Sequence, residues 1–244
     1  MMAPTTQGTA QQIRDCLAEV EHLRRLPADS DLQLAMIAVK QLQARRFSHT
    51  YADYLADPGH APAARFFLDE LYGARDFSER DAQFGRIAGA IERLFPDAVG
   101  ALAVDLARTH ALTERMDHAL ATHWVQMPGD LSPSLRYVKA WRLAGQPLAR
   151  ERQLDVTMHM GRELQRLTRI LSLRMALRMM RKPAAAAGLS SLQHFLEMGF
   201  DAFAGMKDAD AFLASIHQRE TFWIRQLFDD PEQEAARSLS LALA

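Results

Sequence analysis

The sequence predicts an all-α protein, a single-domain bundle of about nine to eleven helices, on three observations. Leucine dominates the strand formers, with 32 Leu against 7 Val and 7 Ile, a balance that favours helix. Helix breakers are sparse, at 12 Gly and 10 Pro in 244 residues. Between those breakers, apolar residues recur at helical spacing. A chain of this length buries roughly 70 to 75% of its unfolded surface, enough for a stable core. At 48% hydrophobic, with Lys+Arg 29 against Asp+Glu 30, it is neither a disordered chain nor one basic throughout.

Residues 1–9 read as a flexible polar tail and 10–244 as one helical domain. Ile13, Leu17, Val20 and Leu23 form the stripe of a first helix, with Arg24 and Arg25 on its polar flank and Pro27 as its end. Asp29 and Ser30 stand as caps of a second. Its expected apolar positions are Leu34, Ile37, Ala38, Leu42 and Ala44, continued by Phe47, Tyr51, Tyr54 and Leu55 up to the stop Asp57-Pro58-Gly59. A third helix runs from Ala61 to Tyr72 and closes at Gly73. Ser78-Glu79-Arg80-Asp81 is a capping-box pattern, in which Ser78 accepts from the third helical amide and Asp81 reaches back to the cap amide. Phe84, Ile87, Ala88, Ile91, Leu94 and Phe95 follow as the buried face, and Pro96 ends it.

Asp97 caps a short helix through Arg108; another restarts near His110 and fades at Met127-Pro128-Gly129. Ser132-Pro133 is an N-cap followed by proline at the first helical position, giving a helix to about Leu143 that ends at Gly145. The longest candidate spans Pro147 to Lys182, broken by Pro183, with Leu154, Met158, Gly161, Leu164, Thr168, Leu171, Met175 and Met179 on one side. Two amphipathic helices close the chain, one on Leu192, Phe195, Leu196, Gly199 and Phe203, the other on Phe212, Leu213, Ile216, Trp223, Ile224 and Leu227. The stretch Met127 to Pro133 reads as a loop within one domain.

With Cys16 as the single cysteine, no intrachain disulfide and no Cys-based zinc site is possible, which fits a reducing, cytoplasmic setting. The polar start Met1 to Ala10 lacks the features of a signal peptide. The longest stretch free of charge, Pro183 to Leu196, falls short of the roughly 20 apolar residues that a membrane span needs. Arginine outnumbers lysine 25 to 4. Arg forks suit phosphate, yet GC-rich codons alone give the same bias in an Ala-rich chain. Neither a Gly-x-Ser-x-Gly elbow nor a Gly-rich phosphate loop occurs, and no cofactor is expected.

Four constellations could carry chemistry. His110, Glu114 and His118 lie within about 80° on one helical face, with Asp117 beside them, so they could hold a metal or relay a proton. The competing expectation is a solvated face, because Leu112, Met116, Leu120 and His123 occupy the other side. Glu19 and His22 have the Glu-x-x-His spacing of di-iron bundles, but no second such pair exists. Arg162, Arg166 and Arg169 fall within about 60° of one another as a candidate anion-binding row. The eight acidic residues from Asp201 to Glu234 offer that row a counter-charge within the molecule, and no aromatics interleave it for base stacking, so nucleic acid is not the expected partner. Late in the chain, Met175, Met179, Met180 and Met198 are either gap-fillers or an adaptable binding surface.

The fourth is the block from Phe66 to Asp81. Phe66, Phe67, Tyr72, Arg75, Asp76, Phe77, Arg80 and Asp81 make either a packed corner or a recognition surface of aromatics and paired charges. Phe66-Phe67-Leu68-Asp69-Glu70-Leu71-Tyr72-Gly73, followed by Arg75-Asp76-Phe77-Ser78-Glu79-Arg80-Asp81, resembles a family of bacterial proteins of unknown function named after an FFLEELY motif. Asp69 replaces the motif's Glu. The resemblance implies a bacterial cytoplasmic protein and carries over no activity or site residue.

Taken from residues alone, the expected function is association, with a protein partner or as a homo-oligomer, without a catalytic centre. The alternatives are a metal- or small-ligand-binding protein, an oxidoreductase among them, using His110, Glu114 and His118, and binding to an anionic surface or nucleic acid through Arg162, Arg166 and Arg169.

Overall fold

A computed structural model describes residues 7–25, 30–71 and 76–243. Every regular element among them is helical. Counting α4 together with the π turn that continues it, eleven helices reach seven residues, at the top of the expected range.

The first helix, α1 (Thr9–Arg24), buries Ile13, Leu17 and Val20 of the anticipated stripe together with Ala10, and leaves Leu23 half-buried. In α2 (Asp31–Thr50) the Ser30 hydroxyl caps the helix by accepting from the Gln33 amide. The buried face of α2 differs from expectation: Ala35, Met36, Val39, Leu42 and Phe47 are inside, while Leu34 and Ile37 are exposed. Apolar residues ring this helix, so the spacing alone does not select a face. After the short α3 (Ala52–Ala56) and the Asp57-Pro58-Gly59 stop, α4 (Ala61–Phe66) runs directly into a π-helical turn, Phe67–Leu71. The predicted end at Tyr72 and Gly73 lies outside the described residues, as do Pro27, Asp29 and Arg75.

Helix α5 (Ser78–Leu94) starts where expected, but Ser78 is already inside it and makes no side-chain cap. The Ser78 amide is met instead by the Asp76 carboxylate at 2.9 Å. Helix α6 (Asp97–Val125) is one continuous element of 29 residues rather than two, since nothing at Thr109 or His110 breaks a helix. At 1.5 Å per residue it is about 44 Å long and reaches the full depth of the bundle. Ser132 caps α7 (Pro133–Ala144) by accepting from the Leu135 amide. Gly145 and Gln146 then both adopt φ +66° before α8 (Pro147–Thr168), a turn that Gly accepts freely and Gln does not.

The long helix expected to Lys182 stops earlier. Its backbone is extended at Ile170 and restarts as α9 (Leu171–Met179) and α10 (Arg181–Ala186), because Leu167 is the last side chain of α8 that the body covers. Pro183 sits in the first turn of α10, where its missing N–H is not needed. Two helices follow as expected, α11 (Ser190–Ala204) and α12 (Ala209–Asp229). A last helix escaped the sequence pattern: α13 (Glu232–Leu241) buries only Ala235, Ala236 and Leu239, too little apolar bulk to stand out.

Two apolar cores organise the bundle. The larger joins α1, α4, α5, α8, α11 and the first half of α12, with Phe66, Phe67, Phe84, Phe195, Phe203 and Phe212 among its residues. The smaller joins α2, α7, α13 and the second half of α12 around Tyr137, Trp141 and Trp223. Helix α6 serves both, giving Val104 and Ala107 to the first and Leu120 to the second.

Close approach of α11 to α4 depends on Gly199, where a Cβ would lie 2.9 Å from the Phe66 ring. Replacing Gly199 by Ala is expected to destabilise the protein by about 1 to 3 kcal/mol in urea denaturation through overpacking, in spite of alanine's better helix propensity. Gly129→Ala, whose Cβ meets nothing within 4 Å, should change stability by less than about 0.5 kcal/mol.

Candidate functional site

The face of α6 expected to meet solvent is interior. Glu114 and Asp117 are 3% and 2% exposed, and burying a carboxylate is tolerable only where cations and donors meet it. For Glu114 and Asp117 those come from α1 and α2. Lys40 of α2 places Nζ 2.8 Å from both oxygens of Glu114. Arg24 of α1 donates from Nη2 to Glu114 at 2.9 Å and from Nη1 to Asp81 at 2.8 Å. Nε2 of His110 lies 2.8 Å from the same Asp81 oxygen. Nη2 of Arg24, which only donates, also lies 3.2 Å from that Nε2 atom. Arg80 of α5 approaches the other Asp81 oxygen at 3.3 Å and donates to the Glu70 carbonyl in the π turn at 2.8 Å. Its guanidinium lies over the rings of Phe77 and Phe195, 4.2 and 4.8 Å from their centroids.

Two constellations far apart in sequence thus form one cluster: Arg80 and Asp81 from the aromatic block, His110 and Glu114 from α6, with Arg24 between them. Asp81, expected as a capping residue, turns inward. Ser-x-x-Asp is compatible with either role, and the buried Arg24 and His110 claim the carboxylate. Burial pushes the Asp81 carboxyl up, but the His110 hydrogen bond and the charges of Arg80 and Arg24 outweigh it and hold it at about 2. Glu114 follows the same pattern: burial raises it, and Lys40 and Arg24 bring it below the usual range. His118 is partly exposed and makes no hydrogen bond or ion pair with the cluster. Guanidinium and ammonium groups already occupy the lone pairs of Asp81 and Glu114, and no group of three or more potential metal ligands converges among the described residues.

One turn further along α6, Asp117 accepts from Nε2 of Gln43 at 2.9 Å, and that amide also reaches the Tyr137 hydroxyl at 3.3 Å. Burial dominates here: it raises the Asp117 carboxyl against the pull of Lys40 and Arg150 and pushes Tyr137 up to about 12. Beside them Arg46 and Tyr51 both engage Glu220 of α12. A hollow of about 70 Å³ lies between these groups, lined also by Trp141, Arg150 and Gln153. At roughly 10–15 Å³ for each water it has room for a few solvent molecules.

A larger hollow, about 210 Å³, lies between α5, α6, α8 and α11. Its wall includes Ile87, Ile91, Ala103, Leu164 and Phe195, and Thr157 is its one polar residue among those described. Phe95 and Leu196 line it and are 45% and 40% exposed, which sets its mouth at the surface.

Phe66 and Phe67, read as a packed corner or else as part of a recognition surface, are buried in the larger core against Phe195 and Phe203. Asp76 is exposed and Phe77 half-buried, whereas Tyr72 and Arg75 lie outside the described residues. Arg162, Arg166 and Arg169 are exposed. Arg166 pairs with Glu163 one turn away rather than with the acidic C-terminal segment. Of the acidic segment anticipated as counter-charge, Asp201 lies near Arg174 and Arg178, while Arg181 pairs with Glu197, which precedes that segment. Cys16 is a half-buried free thiol whose pKa burial raises, the reverse of an activated nucleophile.

The residues that sequence reasoning missed are Arg24, Lys40, Gln43, Arg46, Arg150 and Glu220. Lys40 and Gln43 carried a usable signal: with Met36 and Phe47 they fall on one helical line, so polar groups interrupt an apolar stripe.

The depressed Asp81 carboxyl contributes stability that is present above the unfolded value near 3.9 and lost as pH falls through about 2, on the order of 2 kcal/mol. Asp81→Asn should therefore lower stability near neutral pH by about 3 kcal/mol, since it leaves buried cations unmatched. It should also flatten the loss of stability between about pH 4 and 2, read from denaturation midpoints against wild type. An acid limb as steep as wild type would falsify the assignment.

A family model described as a domain of unknown function (DUF8198) matches residues 22–234. That match agrees with the resemblance to a family of unknown function. No curated protein and no solved structure matches the chain. With the matched span covering most of the chain and every residue of the buried charge cluster, the chain belongs to the DUF8198 domain family.

Proposed function

We propose that the protein acts by association with a protein partner, and that its contact surface is the segment from the end of α8 through α10. The observation that supports this most directly is α9 itself: none of its residues is buried. Leu171, Met175 and Met179, spaced by four, are 70%, 55% and 75% exposed, and Ile170 and Met180 extend the strip. An isolated exposed Leu is unremarkable, but an apolar ridge along a whole helix is what partner-binding surfaces carry. Methionine adds an adaptable, polarisable contact.

Charge selects the partner. From Arg162 to Lys182 seven basic residues stand against the single acid Glu163. Arg162, Arg166 and Arg169 lead up to the ridge, and Arg178, Arg181 and Lys182 flank it, all exposed. The complementary surface is acidic around an apolar centre. A second copy presenting the same ridge would set like charges against each other, which disfavours a symmetric pair. No helix of the described residues is long and apolar enough to cross a membrane.

Because the ridge is exposed, Leu171→Ser/Met175→Ser/Met179→Ser should shift folding stability by less than about 1 kcal/mol. In native mass spectrometry of the protein isolated from its own cells, wild type should carry a stoichiometric protein partner that the triple variant lacks. A complex retained by the variant, or bare monomer from both, would overturn the proposal; a homo-oligomer lost in the variant would replace the hetero-partner with a second copy.

A further inference from the structure

We propose that the 210 Å³ hollow between α5, α6, α8 and α11 is a binding site for an uncharged, largely hydrocarbon small molecule carrying one hydrogen-bonding oxygen. The site is independent of the α9 surface. Its chemistry follows from the wall. Helix α6 contributes Val99, Leu102, Ala103 and Leu106, the i, i+3, i+4, i+7 line of one face, and neighbouring helices close the remaining sides with aliphatic and aromatic side chains. Water entering through the mouth at Phe95 and Leu196 would find almost nothing to hydrogen-bond, so an apolar occupant is favoured over solvent.

Size and charge narrow the class. An apolar cavity of roughly 150 Å³ takes up benzene, which scales here to a molecule of roughly eight to ten non-hydrogen atoms. No charged residue lines the hollow. Its inner end shares Phe84, Leu106, Thr157, Met160, Leu192 and Phe195 with a smaller polar hollow that contains Arg80, Asp81 and His110. The charges there are matched to one another: Asp81 is met by Arg24, Arg80 and His110, and Glu114 by Arg24 and Lys40. An ionised head group would enter without a counter-charge, at a large desolvation cost. A ligand hydroxyl needs only the Thr157 hydroxyl, which lies on the shared wall and donates to the Gln153 carbonyl at 2.8 Å, leaving its oxygen able to accept the ligand's proton.

Octan-1-ol and octanoate at neutral pH are probes of equal chain length that differ in charge. Octan-1-ol should raise the melting temperature of the full chain saturably, by mass action on the folded state, and octanoate should bind at least tenfold more weakly. Ala103→Phe, which fills the hollow from α6, should reduce octan-1-ol affinity at least tenfold. In wild type alone, methyl-labelled methionine NMR gives a second readout that needs no variant: octan-1-ol should shift the Met160 methyl, which lines the hollow, and leave Met36 in its separate cluster unmoved. Equal affinity for both probes would overturn the uncharged class. An unshifted Met160 signal at saturating octan-1-ol, or undiminished affinity in Ala103→Phe, would overturn the site.

Discussion

The bundle is organised by the need to neutralise carboxylates that α5, α6 and α12 carry into its interior. An ionised carboxylate removed from water is costly by several kcal/mol even after relaxation, and is retained only where cations reach it with good geometry. Glu114 obtains them from α1 and α2, Asp81 from α1, α5 and α6, and Glu220 from α2. These demands fix rotations and registers that apolar packing alone leaves open. Leu34 and Ile37 face solvent because turning them inward would carry Lys40 away from Glu114. Helix α6 contributes to both cores and carries buried hydrogen-bonded polar groups as well, so the interior is not one undivided apolar mass.

Local signals in the sequence were accurate where the chemistry is local. The Ser30 and Ser132 caps, the proline after Ser132, the Gly145 turn and the Asp57-Pro58-Gly59 stop depend on a few neighbouring residues, and the structure shows each of them. The stripes of α1, α11 and α12 were legible because most of their apolar residues occupy one side, with Leu196 and Phe222 as the exposed exceptions. In α2 they ring the helix, and the burial choice is made by a partner 74 residues away. The break at Ile170 was hidden because Leu171, Met175 and Met179 continue the period of α8 after the body beneath them has ended. A period records which residues share a face, not whether anything covers it.

The candidate site divides along the same lines. His110 and Glu114 were recognisable as a pair on one face, but the guanidinium that separates them from a metal centre comes from Arg24, which looked like an ordinary flank residue. Phe66 and Phe67 read equally well as surface or core until the positions of Phe195 and Phe203 were known. The apolar hollow had no sequence signature at all. It arises where four amphipathic helices converge with glycines at Gly161 and Gly199 and alanine at Ala103, small residues whose spacing along each helix does not show that they meet.

The ion pair between Arg46 and Glu220 joins positions 174 residues apart, and Tyr51 donates to the same carboxylate across 169. During synthesis at roughly 5 to 20 residues per second, Arg46 emerges on the order of ten to thirty seconds before its partner exists. Throughout that interval its guanidinium must stay hydrated, so the helix that carries it cannot settle into its final place. The smaller core, to which α2 contributes Val39 and Leu42 and α12 contributes Trp223 and Leu227, is accordingly completed only when the acidic C-terminal helices arrive. Until then the nascent chain exposes one side of α2, which places the period of greatest need for chaperone protection late in translation.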